Sequence, residues 1–439
     1  MLDGPVLPLL IRLALPTIAV MLMVSLLGVA ETYFVSSIGT DAIAAASVVL
    51  PMTLMMTMIS NGGIGGGVSS AIARARGAAR QDEVESLTWH ALVVGLGSGI
   101  AFTVLLWLGG RSVYRLLGAS GAALDQAVLY SNILFGGATV SWALMLLQAA
   151  LRGVGNVRVP AMIIGLSVAL GLAISPALIS GWYGLPRMGV AGAGVSQVIT
   201  NAVGLAIVVI YMRSGQSTLA LRRHPLRAAH FGAILSVGLP ASLGAAMSNL
   251  ALTAVTAAMG RFGVAVLAGV GIASRLESLL VPFMFGFGTS VLTIVGTNLG
   301  AGNVDRARRA ALVNAFFVAA CMEALGLLVA SRPDLWLAIF SRNPEVLSAG
   351  RQYLQMLGPM YGLIAIGLEL YFAGQGARSV RWPLSAAAIR LACTVVAAVW
   401  AYTGGVDLGT VIATIAFGIA AAAIVSLQGF RAARWSAGQ

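Results

Sequence analysis

The chain has no lysine, only three histidines and two cysteines, and charged residues make up just 9% of its 439 positions. Each shortage closes off a kind of chemistry. Without lysine there is no Ser-Lys dyad. The run Gly62-Gly63-Ile64-Gly65-Gly66-Gly67 is not a phosphate loop either, because no Lys-Ser or Lys-Thr follows it. His90, His224 and His230 lie in or beside polar connections, with no ligand-like spacing to Cys321 or Cys393, so no metal site is expected. Both cysteines sit inside apolar runs and read as small hydrophobic side chains rather than as a disulfide framework. No paired aspartates stand in an apolar run, so no intramembrane enzyme and no cofactor are expected. The 26 basic residues, all arginine, give a net charge of +12, but they are scattered over short loops, which argues against a nucleic-acid partner.

What is present is hydrocarbon. Hydrophobic residues make up 59% of the chain and the mean hydropathy is +0.94, so its expected partner is the lipid bilayer. The N-terminus lacks a cationic leader and the first apolar segment is long enough to span, so that segment is expected to be retained. Apolar runs of about 20 residues predict twelve helices near 7–36, 43–71, 88–110, 126–150, 158–180, 189–212, 230–259, 266–295, 308–330, 349–373, 382–402 and 408–430. Alternate connections differ in arginine. One side holds Arg12, Arg74, Arg76, Arg80, Arg152, Arg158, Arg213, Arg222, Arg223, Arg227, Arg306, Arg308, Arg309, Arg378, Arg381, Arg431 and Arg434. The other holds Arg111, Arg115, Arg187, Arg261, Arg332, Arg342 and Arg351. The first side is expected to be cytoplasmic, with both termini there.

The chain also repeats itself. Ala14-Leu15-Pro16 returns as Gly238-Leu239-Pro240, Ile38-Gly39 as Phe262-Gly263, and Gly155-Asn156-Val157-Arg158-Val159-Pro160 as Arg378-Ser379-Val380-Arg381-Trp382-Pro383, at offsets of 223 to 224 residues. The expected fold is an all-α integral membrane protein. Twelve transmembrane helices form two pseudo-symmetric lobes around a central cavity, with an N-lobe at 1–212, a cytoplasmic linker at 213–229 and a C-lobe at 230–439. Parallel repeats of this kind are the physical basis of rocking secondary transporters.

The assembled segments resemble the multidrug and toxic compound extrusion (MATE) family. The resemblance rests on Leu15-Pro16 with Glu31 fifteen residues on, Ile38-Gly39-Thr40-Asp41-Ala42-Ile43-Ala44-Ala45, Arg152-Gly153 with Gly155-Asn156, Met188-Gly189-Val190-Ala191-Gly192-Ala193-Gly194, and Gly296-Thr297-Asn298-Leu299-Gly300-Ala301-Gly302-Asn303. It implies a monomer in the bacterial inner membrane that exports amphipathic organic cations against inward H⁺ or Na⁺. A flippase for lipid-linked or polyisoprenoid-linked sugars, from the same superfamily, is the rival reading.

Charges inside the hydrocarbon are functional candidates by default. Glu31 lies about 22 Å along the helix from Pro16, and the resemblance places the coupling carboxylate there; an interfacial acid reaching for the outer surface is the alternative. The resemblance adds Tyr130 to the same polar network. Where the family's first-lobe branch carries Asn-x-x-x-Asp-Pro in the fifth helix, this chain has Gly171 and Ser175 before Pro176. Fewer hard oxygens are offered to Na⁺, which tilts the expectation toward H⁺, since one carboxyl in an apolar setting can carry a proton alone. In the second half Arg275, Glu277, Glu369 and Arg390, with Asn249, form either a structural charge network or a second functional site. Met23, Met55, Met56 and Gly171 are candidate cavity walls for flat cations, with ordinary filling the alternative for the methionines. Pro16, Gly62 and Gly63 are candidate hinges, and the glycines also suit close helix packing.

Overall fold

A computed structural model describes residues 1–433 and 435; Arg434, counted above among the cytoplasmic arginines, lies outside the described residues. Every regular element among the described residues is helical. The first half comprises α1 (Val6–Ser36), α2 (Thr40–Thr57), α3 (Gly65–Gly77), α4 (Gln81–Leu116), α5 (Gly121–Gly136), α6 (Ala138–Gly153), α7 (Arg158–Ser180) and α8 (Val190–Arg213). The second comprises α9 (Ala228–Gly260), α10 (Val264–Gly300), α11 (Val304–Ser331), α12 (Asp334–Leu337), α13 (Pro344–Leu357), α14 (Tyr361–Gly376), α15 (Arg381–Thr403) and α16 (Leu408–Ala432). Among the described residues, eleven helices or near-continuous helical runs are long and apolar enough to cross a membrane, and α5 with α6, bent by 46°, makes a twelfth. The expected span at 158–180 coincides with α7. Large apolar side chains such as Leu108, Trp400 and Phe417 stay exposed, as a lipid solvent allows.

The glycine run in the second span does more than thin the helix. Met58–Ile64, which holds Gly62 and Gly63, is a π-helical turn joining α2 to α3. Arg152 of α6 reaches it, its Nη2 donating to Asn61 Oδ1 at 3.2 Å. Such turns swell a helix locally and break its regular ladder. At the other end of the chain Asp407 caps α16, accepting from the backbone of Gly409 and Thr410. The Thr410 hydroxyl and amide hold its carboxyl below its ordinary range.

Two compact units emerge, and their division differs from the expected lobes. One unit is Pro16–Leu235; the other is Ser236–Gln439 together with Met1–Leu15. The linker and the first turns of α9 therefore belong with the first unit, and the first turns of α1 with the second. The reason lies in packing. Leu219 and Leu221 of the linker are buried in the first unit's core, and Gln81 Nε2 donates to the Thr218 carbonyl at 3.1 Å. In the second unit Asn298 Nδ2 donates to the Met1 carbonyl at 3.4 Å and Arg306 Nη2 to the Asp3 carbonyl at 3.0 Å. Both crossings carry a proline, which cannot bond the carbonyl four residues back. Pro16 leaves the Arg12 carbonyl, and Pro240 the Ser236 carbonyl, without that bond, next to the points where α1 and α9 pass from one unit to the other.

In the first unit α6 is the axial helix, with Leu146, Leu147 and Leu151 fully buried against α3, α4 and α8. In the second, α14 takes the same place between α10, α11 and α16. The repeat reaches the backbone. Ala79 and Gly302, and Gly155 and Arg378, are pairs 223 residues apart, and all four have φ between 56° and 84°. Each ends a helix the same way, the next amide bonding the carbonyl five residues before it: Arg80 to Ala75, Asn303 to Asn298, Asn156 to Leu151, Ser379 to Gly374. One copy in each pair is not glycine and is held in a left-handed conformation costing about 1–2 kcal/mol. Ala79→Gly should therefore stabilise the protein by roughly 0.5–1 kcal/mol, read as a higher unfolding temperature in detergent; an unchanged or lower temperature would contradict this.

Candidate functional site

The first unit gathers three of the expected residues from three helices. Glu31 on α1 faces Ser175 on α7 and lies near the Tyr130 phenol on α5. Ser175 is buried, and its Oγ completes no hydrogen bond, so the carboxyl and hydroxyl face each other without closing a well-formed pair. The register explains the meeting. One turn before Glu31, Leu27 fills the space of the missing side chain of Gly171, its Cδ2 at 3.2 Å from where a Cβ would stand. Gly171 precedes Ser175 by the same one turn, as parallel neighbouring helices require. Gly171 thus lets α1 approach α7; the gap it leaves is taken by Leu27 rather than left as cavity wall. A similar gap at Gly194 on α8 receives the Tyr130 ring at 3.2 Å.

Two residues adjoin this group without having been expected. Tyr114 on α4 is fully buried, shares a short hydrogen bond with Ser131 on α5, and lies near Tyr130. A tyrosine inside an otherwise apolar span was the available signal. Of the methionines, Met56 is buried in the first unit's core and Met55 is partly buried, while Met23 is exposed. They do not form one surface.

The second unit divides the expected charge network in two. Glu277 on α10 faces the phenols of Tyr353 and Tyr361 and the Arg390 guanidinium, although Glu277 Oε1 and the Tyr361 hydroxyl complete no hydrogen bond. Glu369 on α14 is fully buried and is paired with an amide instead of an arginine: Asn314 on α11 donates from Nδ2 to its Oε2. Glu369 Oε1 and Asn314 Oδ1 have no protein partner. Arg275 is exposed on α10, and Asn249 lies half-buried on α9, its carbonyl accepting from Thr253 Oγ1 at 3.0 Å. Tyr353 stands 223 residues after Tyr130, so each unit places the same tyrosine against a carboxylate. The acid differs, being on α1 in one unit and α10 in the other; the position matching Glu31 holds Val255. Glu323 caps the break before α14, accepting from the Gly362 amide at 2.9 Å.

The family model described as MatE matches the chain twice, over residues 16–177 and 240–403. A protein of Shewanella oneidensis described as an FAD transporter is 27% identical over 381 residues, 85% of this chain and 82% of that protein. The probable multidrug resistance protein NorM of Thermotoga maritima is 24% identical, covering 85% of this chain and 81% of its own. Among solved structures, a MOP superfamily transporter from Pyrococcus furiosus superposes with a TM-score of 0.86 at 23% identity, over 98% of this chain and 96% of that one. A MATE protein crystallised with MaL6 superposes with a TM-score of 0.87 at 23% identity, over 98% and 97% of the two chains.

Proposed function

We propose, on the premise that the chain belongs to the MatE family of multi-pass membrane transporters, that it exports amphipathic organic cations by antiport with protons, as a single chain. The observation that carries this reading is the convergence of Glu31, Tyr130 and Ser175 from α1, α5 and α7. A lone carboxyl facing one hydroxyl can take up and release a proton, whereas Na⁺ asks for a fuller shell of hard oxygens. Protonation of Glu31 from outside removes its charge and its attraction for a cationic substrate; deprotonation toward the inside restores both. Alternating access follows if α1 and α9 flex beside Pro16 and Pro240.

Support for cytoplasmic termini comes from the second unit. Met1 meets Asn298, Asp3 meets Arg306, and the Ala433 carbonyl accepts from Arg308 Nη2 at 3.3 Å, so residues 1–3 and Ala433 share the end of that unit that carries Arg306 and Arg308. The decisive experiment is efflux of a fluorescent organic cation from proteoliposomes under separately imposed H⁺ and Na⁺ gradients. Transport driven by H⁺ alone is expected; transport driven only by Na⁺ would overturn the ion assignment, and transport under neither would overturn the antiporter.

A second reading has its own observations. The Shewanella oneidensis relative is described as an FAD transporter, and FAD pairs a flat aromatic ring with a diphosphate. Arg275 is exposed and Arg390 half-buried on helices of the second unit, where they suit an anion, either FAD or the lipid-linked sugar of a flippase. Vesicles loaded with FAD and assayed beside the organic cation separate this reading from the first.

A further inference from the structure

All three histidines of the chain meet at one end of the first unit, although 140 residues separate the first from the last. His224 and His230 line a cavity of about 600 Å³ together with Arg80, Glu83, Ser86 and Arg227. His90, on α4 and fully buried, has both ring nitrogens occupied. Its Nε2 accepts from the Arg227 amide at 2.9 Å, and its Nδ1 lies 2.7 Å from the Ser86 carbonyl. An amide can only donate and a carbonyl can only accept, so Nδ1 carries the proton and Nε2 is bare. The neutral ring is therefore the piece that ties the end of the linker to α4.

We propose that His90 is a proton-operated latch: neutral, it holds the linker segment around Arg227 against α4, and on taking up a proton it lets that segment go. The added proton can only go on Nε2, where it points at the Arg227 N–H; one hydrogen bond is lost and two donors face each other. The surrounding charge favours release. His230 stands edge-on with its ring 4.9 Å from that of His90, its Nδ1 2.8 Å from Ser86 Oγ, and Arg227 adds a guanidinium on the same segment. The nearby carboxylates have other cations: Glu83 is bridged by Arg80 at 2.7 Å, and Glu85 lies 3.9 Å from His224; Asp82 also lines the cavity. From the helices packed on α4, Arg74 and Arg76 of α3 bond Ser70 and Gln81, and Arg152 of α6 bonds Asn61. Asp125 of α5 pairs with Arg111, about 30 Å along α4 from His90, and α2 carries Asp41 at its start. His230 lines the cavity wall and touches His90, which gives protons a route inward. Leu219 and Leu221, buried upstream, anchor the earlier linker independently, so release is confined to about residues 222–230 and the opening turns of α9. On the assignment of the arginine-rich side to the cytoplasm, the latch senses cytoplasmic acid, and it does not depend on which substrate is carried.

Hydrogen exchange of the full-length protein at pH 7.5 and 5.5, corrected for intrinsic rates, tests this. Protection of the segment 222–230 should fall roughly ten-fold at pH 5.5, while that of 213–221 holds. In His90→Gln, whose side-chain oxygen accepts from the Arg227 amide at either pH, protection should stay constant. Equal loss in the variant, or no loss in the wild type, overturns the latch. Should the variant fail to fold, ¹⁵N-histidine spectra of the wild type decide, since only three imidazoles contribute. A His90 proton on Nε2 at pH 7.5, or a His90 that stays neutral while the segment is released, overturns it equally.

Discussion

Glu31→Gln is expected to collapse proton-driven accumulation to the level of empty liposomes while leaving the amount and monodispersity of purified protein unchanged. The exchange keeps the shape of the side chain and its ability to address Ser175, and it removes only the group that can lose a proton. Glu31 is half-buried with no ion pair among the described residues, so its replacement by an amide strands no partner charge; the change in stability should stay within about 1 kcal/mol. Downhill exchange of a cationic substrate should fall as well, because the amide, like the protonated acid, lacks the charge that attracts it. Ser175→Ala should lower coupled transport by a smaller factor, since its hydroxyl faces Glu31 without a completed hydrogen bond. Full uphill transport by Glu31→Gln would remove Glu31 from the mechanism and move attention to Glu277 or Glu369.

Gly326→Val should cause a large loss of folded protein through the second unit. Here α11 and the 3₁₀ turn Gly358–Met360 approach backbone to backbone. A Cβ on Gly326 would fall onto the Gly358 carbonyl oxygen, and a Cβ on Gly358 would stand 2.6 Å from the Gly326 carbonyl oxygen. Neither obstacle is a side chain that can rotate away, so the helices must separate, at a cost of about 3 kcal/mol or more. Fluorescence-detected size exclusion should show a loss of the monodisperse peak. Gly271→Val is the matched control, because nothing lies within 4 Å of its missing Cβ, and it should behave as wild type. Comparable behaviour of the two variants would show that the close approach is not needed.

The spans were legible because lipid imposes a long apolar run on each, and the repeat because it is written in glycine and proline as well as in hydropathy. Glu31, Tyr130 and Ser175 were legible together only through the family resemblance; their spacing in sequence says nothing of three helices meeting. What stayed hidden depended on which face a polar side chain takes within its span. Glu277 and Glu369 look alike as buried acids, yet one faces two tyrosines and an arginine and the other an asparagine. The repeat offset leading from Tyr130 to Tyr353 was the missed signal. The linker misled for a related reason: its arginines advertise solvent, while Leu219, Leu221 and the backbone of Arg227 bind it to the first unit.

The placing of Met1–Leu15 with the second unit, and of its repeat around 225–235 with the first, has a bearing on descent. In a dimer of single six-helix subunits, each subunit lending its opening segment to its neighbour would be a domain swap. Fusing two such genes end to end would leave one chain in which each half still holds the other's leading turns, joined by a connector that must travel along the neighbour before its own half begins. The linker bound along α4 takes such a path, leaving residues 225–235 with the first unit.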